Sequence, residues 1–159
     1  EICFVPDGDY AAFLERVEPA LATTGAIVDQ QGAQVGAHTG VHRFTIGQRK
    51  GLGLSAGVPL YVVAIDATAQ SVTVGPRTAL DRAALTASQV NWISGEAPPA
   101  WTAVTAQIRH RHRPAPARVR ALAEARAELE FDTPQTAISP GQAVVFYDGD
   151  EVIGGGWID

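Results

Sequence analysis

Beyond residue 80 the apolar side chains come in short runs, broken at near-regular intervals by turn-forming residues. A chain with that texture has few options other than a small β structure. Ala127, Leu129 and Phe131 alternate with Glu128 and Glu130, the period of a strand with one face buried and the other in water. Further strands are predicted at Gln89–Ile93, Ala103–Arg109, Arg118–Ala123, Ala143–Tyr147 and Val152–Trp157. Tyr147-Asp148-Gly149-Asp150 reads as the hairpin turn between the last two, and the Pro-rich stretch 95–100 as a loop inside the same unit. Six short strands with turn signals at such spacing point to a small closed barrel.

The first half reads differently. Ile2–Val5 is a short apolar strand ended by Pro6-Asp7-Gly8, after which Asp9 can cap a helix over 10–22 with Phe13, Leu14, Val17 and Leu21 on one face. Ala26–Asp29 and Gln34–Gly36 flank Gln30-Gln31-Gly32 as a small hairpin, and Leu60–Asp66 with Ser71–Gly75 form a second. Between them the Gly-rich stretch 36–57 reads as loop with one helical turn near 40–46. The fold class expected is mainly β (α+β): a small domain over 9–80, then a six-stranded antiparallel β-barrel over 81–159. The boundary falls near 76–84.

Composition narrows the function. No run of about 18 apolar residues exists and no charged-then-apolar leader opens the chain, so neither a membrane span nor a signal peptide is expected. The single cysteine, Cys3, forms neither an internal disulfide nor a Cys-rich zinc site by itself. The sequence opens on Glu1 and contains no Met, which reads as part of a longer product. The net charge of −5 argues against a general polyanion binder, but it hides an asymmetry. Five Arg and two His lie between Arg109 and Arg120 with no acid among them, leaving about −10 on the remainder. Eleven of the twelve basic residues are Arg, whose planar fork suits phosphate or carboxylate. Local excess on an acidic background indicates a defined contact patch.

Five groups of residues are candidates for chemistry or close approach. Cys3, among Ile, Phe and Val, is either a small buried hydrophobe or a reactive thiol, and reactivity requires a cation or helix N-terminus to lower its pKa. His38 and His42 stand at i and i+4, but no carboxylate in their segment completes a metal site. Gly51, Gly53 and Gly57 lack both the GxGxxG spacing and a following GK[ST], so a shaped loop against another domain or an anion is the better reading. Arg109-His110-Arg111-His112-Arg113, read as strand, places its Arg on one face and its His on the other. Such a run is either a charge-protected edge or a phosphate contact, with His110 available to stack on a base or ribose. Gly154-Gly155-Gly156 implies a close backbone approach, within the barrel or to a ligand.

Together, several segments resemble one family in order and spacing over essentially the whole chain. They are Ile2-Cys3-Phe4-Val5, His38-x-Gly40, Thr45-Ile46-Gly47-Gln48-Arg49-Lys50-Gly51-Leu52-Gly53, Pro59–Val63, Val90-Asn91-Trp92, Ile108–Arg111, Ser139-Pro140-Gly141-Gln142 through Tyr147, and Gly154–Gly156. The sequence thereby resembles the central and C-terminal parts of the bacterial tRNA-specific 2-thiouridylases. The resemblance implies that residues 1–8 are the end of a catalytic domain, 9–80 a central domain and 81–159 the barrel. It implies replacement of O2 of the wobble uridine (position 34) by sulfur in Lys, Glu and Gln tRNAs. ATP, with Mg2+, adenylates that oxygen in an N-terminal domain whose SGGxDS-type loop does not occur in this sequence, so no cofactor is expected on these residues. A cysteine persulfide then attacks C2.

By the same resemblance Cys3 is the catalytic persulfide cysteine, loaded by a sulfur-relay protein or a cysteine desulfurase, and a second cysteine in the missing domain resolves it by disulfide formation. The tRNA-contact residues map to Arg109, His110 and Gln142. The family often carries Tyr where His110 stands, and an imidazole keeps both a ring face and a hydrogen-bonding edge. A cytoplasmic location and no membrane partner follow. The alternative to the enzyme reading is a non-catalytic RNA-binding β-barrel module, in which Cys3 has no role.

Overall fold

The computed structural model describes residues 9–55 and 57–159. Cys3, the strand expected at Ile2–Val5 and the whole segment 1–8 lie outside the described residues. The chain divides into two compact units between Ala79 and Leu80.

The first unit opens with helix α1, Tyr10–Val17, capped by Asp9, whose side chain accepts from the Ala12 N–H at 2.9 Å. The sequence pattern carried this helix to 22, but it stops at Val17. Pro19 restricts the residue before it and offers no N–H, so the chain continues as one 3-10 turn, Pro19–Leu21. Strands β1 (Gly25–Val28) and β2 (Gln34–His38) form the expected hairpin, its turn held by the Asp29 carboxylate accepting from the N–H groups of Gln31 and Ala33. Strands β3 (Tyr61–Asp66) and β4 (Ser71–Gly75) form the second. The sheet order is β2-β1-β4-β3, antiparallel except for the β1–β4 pair, which is parallel and makes the sheet mixed. Ile27, Val62, Val72 and Val74 are fully enclosed at its centre, and Leu52 from the long loop closes over them.

The second unit is the expected closed antiparallel barrel, in the order β10-β5-β8-β7-β6-β9. Its strands are β5 (Asp81–Trp92), β6 (Thr102–Gln107), β7 (Ala115–Leu122), β8 (Arg126–Thr136), β9 (Ala143–Asp148) and β10 (Glu151–Ile158). Alternation sets the inside and outside. Ala117 and Val119 of β7, Ala127, Leu129 and Phe131 of β8, and Val144 and Phe146 of β9 fill the interior, with Trp92 tilted against Phe146.

β5 begins eight residues before the strand that the sequence suggested, because Asp81-Arg82-Ala83-Ala84 has little strand propensity and owes its conformation to pairing with β8. Residues 81–87 pair with β8, and 87–92 pair with β10. The change of partner is marked by Gln89, at φ 51°, and by a register shift opposite it between Gly155 and Trp157. Here the backbones crowd. A Cβ on Gly154 would lie 2.8 Å from the Asn91 carbonyl oxygen, one on Gly155 2.6 Å from that of Val144, and one on Gly156 2.7 Å from that of Ser88. The Gly triplet therefore serves approach within the barrel.

The last residue of β10 is followed by Asp159, whose N–H donates to the Thr86 carbonyl at 3.1 Å and whose carboxylate takes Arg126 at 2.7 Å. A hydrogen bond from Arg126, and then one from Ser88, hold this carboxyl below the ordinary carboxylate range. Gly155→Ala is expected to destabilise the barrel by about 1–3 kcal/mol, read as a lower urea midpoint, because a backbone oxygen occupies the space a methyl needs. The Asp159 contribution is present above roughly pH 4 and disappears as pH falls through its lowered folded value. Asp159→Asn should accordingly flatten the acid limb of the stability curve, followed by thermal melts from pH 7 to pH 2.

Candidate nucleic-acid interface

The basic run does not fold as a strand. β6 ends at Gln107, and residues 109–111 make a turn in which the His112 N–H donates to the Arg109 carbonyl at 3.1 Å. Arg111 takes φ 60°, and Pro114 removes a ladder donor while confining Arg113 to extended backbone. The expected alternation of Arg on one face and His on the other is thus overturned: the segment is the β6–β7 connection, and its side chains fan out from a bend.

Three bonds pin this turn to the barrel. The Arg109 Nη1 donates to the Thr136 carbonyl at 3.0 Å, the His112 Nε2 meets Gln135 Oε1 at 3.1 Å, and the Gln107 Nε2 donates to the Arg109 carbonyl at 3.2 Å. Gln107 is itself held, since the Tyr147 hydroxyl donates to its Oε1 at 3.2 Å. That leaves the exposed side of Arg109 and His110 standing over an open pocket of about 220 Å³, lined by Gln107, Arg109, His110, Gln142, Ala143 and Val145. Arg109, His110 and Gln142, the three contact residues inferred from resemblance, come together in this one pocket, although Gln142 comes from the separate turn that precedes β9. The pocket offers one guanidinium, one imidazole and two amides, a donor-rich set suited to an anionic, hydrogen-bonding ligand.

The rest of the basic run is committed elsewhere. Arg118 and Arg120 point outward from β7 and pair with Glu130 and Glu128 on β8, directly across the ladder. Both also lie over the Trp101 ring, each 4.8 Å from its centroid. Arg111 and Arg113 stay exposed and have no ion pair among the described residues.

In the first unit the Gly-rich segment is a shaped loop. The Gln48 side chain closes it, accepting from the Thr45 N–H and donating to the Lys50 carbonyl, both at 2.9 Å. Gly51 and Gly53 adopt φ 74° and 66°, which turns the chain so that Leu52 between them reaches the core. The two His do not form a helical i, i+4 pair. His38 ends β2, buried, with its Nδ1 accepting from the Gly40 N–H at 3.1 Å. His42 lies in the 3-10 turn Val41–Arg43, where it and Arg43 both bind Glu15 of α1. Among the described residues no cluster of three His, Cys, Asp or Glu side chains is placed to hold a metal ion. No described helix is long and apolar enough to cross a membrane.

Residues 11–76 match the family model described as a tRNA methyl transferase PRC-barrel domain, and residues 82–158 match the one described as an aminomethyltransferase beta-barrel domain. The chain is 51% identical to the tRNA-specific 2-thiouridylase MnmA of Magnetococcus marinus, across 99% of its own length and 44% of that protein. It is 51% identical to the protein of that name from Geotalea uraniireducens, across 100% of its length and 42% of that protein, and 43% identical to the one from Halothermothrix orenii, across 99% and 44%. It belongs to the tRNA-specific 2-thiouridylase family. The chain spans less than half the length of the curated relatives it matches, and corresponds to their C-terminal part.

Sequence reasoning within the 2-thiouridylase resemblance missed Gln107, which lines the pocket, and Tyr147, which holds Gln107 in place. A signal existed: in the strand expected at Ala103–Arg109, Gln107 shares a face with Arg109. Replacing Gln107 by Leu removes both of its hydrogen bonds at similar volume. The local opening free energy of the turn should fall by about 1–2 kcal/mol, seen as roughly tenfold faster amide exchange at His112 with no change in the β8 core amides.

Proposed function

We propose that this chain is the tRNA-facing portion of a 2-thiouridylase, which replaces O2 of the wobble uridine of tRNA by sulfur. The observation that carries the tRNA contact is the convergence of Arg109, His110 and Gln142 on one exposed pocket. Arg109 is tied to Thr136 through one guanidinium nitrogen, which fixes its direction and leaves the others to a phosphate. His110 supplies a ring face for a base or ribose, and Gln142 an amide able to donate and accept. Arg111 and Arg113 add charge at the rim without fixed geometry.

In the reaction Cys3 carries the sulfur as a persulfide. Its terminal sulfur forms a bond to C2 of the uridine, and the adenylated oxygen departs with the AMP. A second thiol then attacks the Cys3 sulfur, forming a disulfide and leaving 2-thiouridine on the tRNA. The Gly-rich stretch of this chain lacks the spacing of a phosphate loop, so no part of the adenylation by ATP and Mg2+ is assigned to these residues. That step belongs to the longer part of the protein, as the share of each relative that this chain covers supports. The substrates are Lys, Glu and Gln tRNAs, the sulfur comes from a relay protein or cysteine desulfurase, and the location is the cytoplasm.

Two experiments test the reading. Arg109→Ala in this chain should weaken binding of an unmodified tRNA transcript and lower the slope of log K against log salt by about 1; an unchanged affinity and slope overturn the contact. In the full-length protein, Cys3→Ser should abolish 2-thiouridine formation while tRNA affinity stays the same. Persisting thiolation removes Cys3 from the mechanism, and a full-length protein that binds tRNA but never thiolates it favours the non-catalytic RNA-binding module.

A further inference from the structure

The three tryptophans of the barrel stand in different circumstances. Trp92 is packed against Phe146, with ring centroids 5.6 Å apart. Trp101 is covered by the guanidinium groups of Arg118 and Arg120. Trp157 has neither a ring nor a cation partner among the described residues, and 50% of its surface is open to solvent. Singly exposed apolar side chains are common and carry no message by themselves. The position of this one does.

On β9 the outward-facing residues Ala143 and Val145 form a wall of the Arg109–His110–Gln142 pocket. On β10 the residues opposite them are Trp157, paired with Ala143, and Gly155, paired with Val145. Neighbouring strands bring such partners to about 5 Å between Cα atoms. Trp157 is thus the cross-strand neighbour of a residue of the pocket wall, and the positions beside it on this face, Ala143 and Gly155, are small. The backbone on this side is fixed. The Ile158 N–H donates to the carbonyl of Gln142 at 2.9 Å, the Gly141 N–H donates to that of Ile158 at 2.8 Å, and Asp159 is anchored to Thr86 and Arg126. The carboxylate nearest to the indole in sequence, Asp159, is therefore neutralised by an ion pair and does not set a free negative charge against a polyanion.

We propose that Trp157 is a stacking platform for an unpaired nucleobase of the RNA whose backbone is held at the Arg109 pocket. Resting on the tRNA reading given above, this adds a binding residue to that surface and names the ligand part it takes: a base exposed in a loop, not a paired base in a duplex. An aromatic side chain on a rigid sheet, beside a cationic pocket and separated from it by small residues, is the arrangement by which sheet and barrel modules hold single-stranded segments. Every base has a π face, so the platform is tolerant of base identity, and specificity rests with the polar pocket.

The test uses the chain as it stands, with an unmodified tRNA transcript and a blunt, fully paired RNA duplex of similar length. The transcript should quench the tryptophan fluorescence in step with binding, and the duplex should not. Trp157→Ala should weaken the transcript about 5- to 100-fold without altering the salt slope, since stacking releases no counterions. Trp157→Phe should retain most of the affinity, because the ring remains, yet abolish the quenching. This second variant separates loss of the platform from loss of the fold. If neither variant changes affinity or quenching while Arg109→Ala still weakens binding, the platform is overturned and the tRNA surface stands. Should Arg109→Ala also be silent, the tRNA surface itself falls and the platform with it.

Discussion

The close approach of β5 and β10 is the contact on which the second unit depends. A small closed barrel needs tilted, staggered strands, and here one long strand serves two neighbours in succession. β5 does so, pairing with β8 up to Ala87 and with β10 from there onward. The exchange is possible because Gly154, Gly155 and Gly156 have no side chain where the carbonyl oxygens of Asn91, Val144 and Ser88 come to lie. The placement of β10 beside the pocket follows from that seam. It sets the register of β10 against β9, and so places Trp157 beside Ala143 and ties Ile158 to Gln142.

The β7–β8 ladder explains how a chain with net negative charge presents a basic patch. Five Arg between 109 and 120 look equivalent in the sequence, but the ladder divides them. Those that reach β7, Arg118 and Arg120, meet Glu130 and Glu128 in register and are neutralised. Each such exposed pair contributes little stability, about 0–1 kcal/mol, so its main consequence here is electrostatic. Charge is withdrawn from the strands and left on the turn, where Arg109, Arg111 and Arg113 stand without acidic partners among the described residues. Fewer free cations in a defined place favour a bound geometry over a diffuse attraction.

Much of this was legible in the sequence, for identifiable reasons. Alternation in 127–131 gave both the strand and its buried face, because a period of two is a local property. The Asp9 cap and the hairpin at 29–34 were equally local. What escaped notice depended on pairing at a distance. The first half of β5 is Ala-rich and polar, and becomes strand through β8. The bend at Arg109–Arg113 follows from Pro114 and a left-handed Arg111, and of these only the proline is visible in the sequence. Gln107 and Trp157 carry no motif of their own, and only the register of three strands puts Gln107 in one pocket with Gln142 and Trp157 opposite Ala143. Arg109, His110 and Gln142 were proposed as contact residues by resemblance; their grouping in one pocket comes from the fold.

The two glycine clusters show why composition alone could not separate loop from site. Gly51 and Gly53 are left-handed, and the space beside Gly53 is open, so there the backbone angle requires glycine. In Gly154–Gly156 none of the three is left-handed, and it is the volume of a Cβ that is forbidden. The first kind shapes a loop whose amide clamp, Gln48, keeps its own polar groups satisfied, and whose centre is an apolar anchor, Leu52. The second removes side chains from a sheet, and on the outer face of β10 that absence clears the ground between a cationic pocket and an uncovered indole. At the first cluster a substitution is strained by its backbone angle alone, whereas at the second the side chain itself acts on the barrel seam.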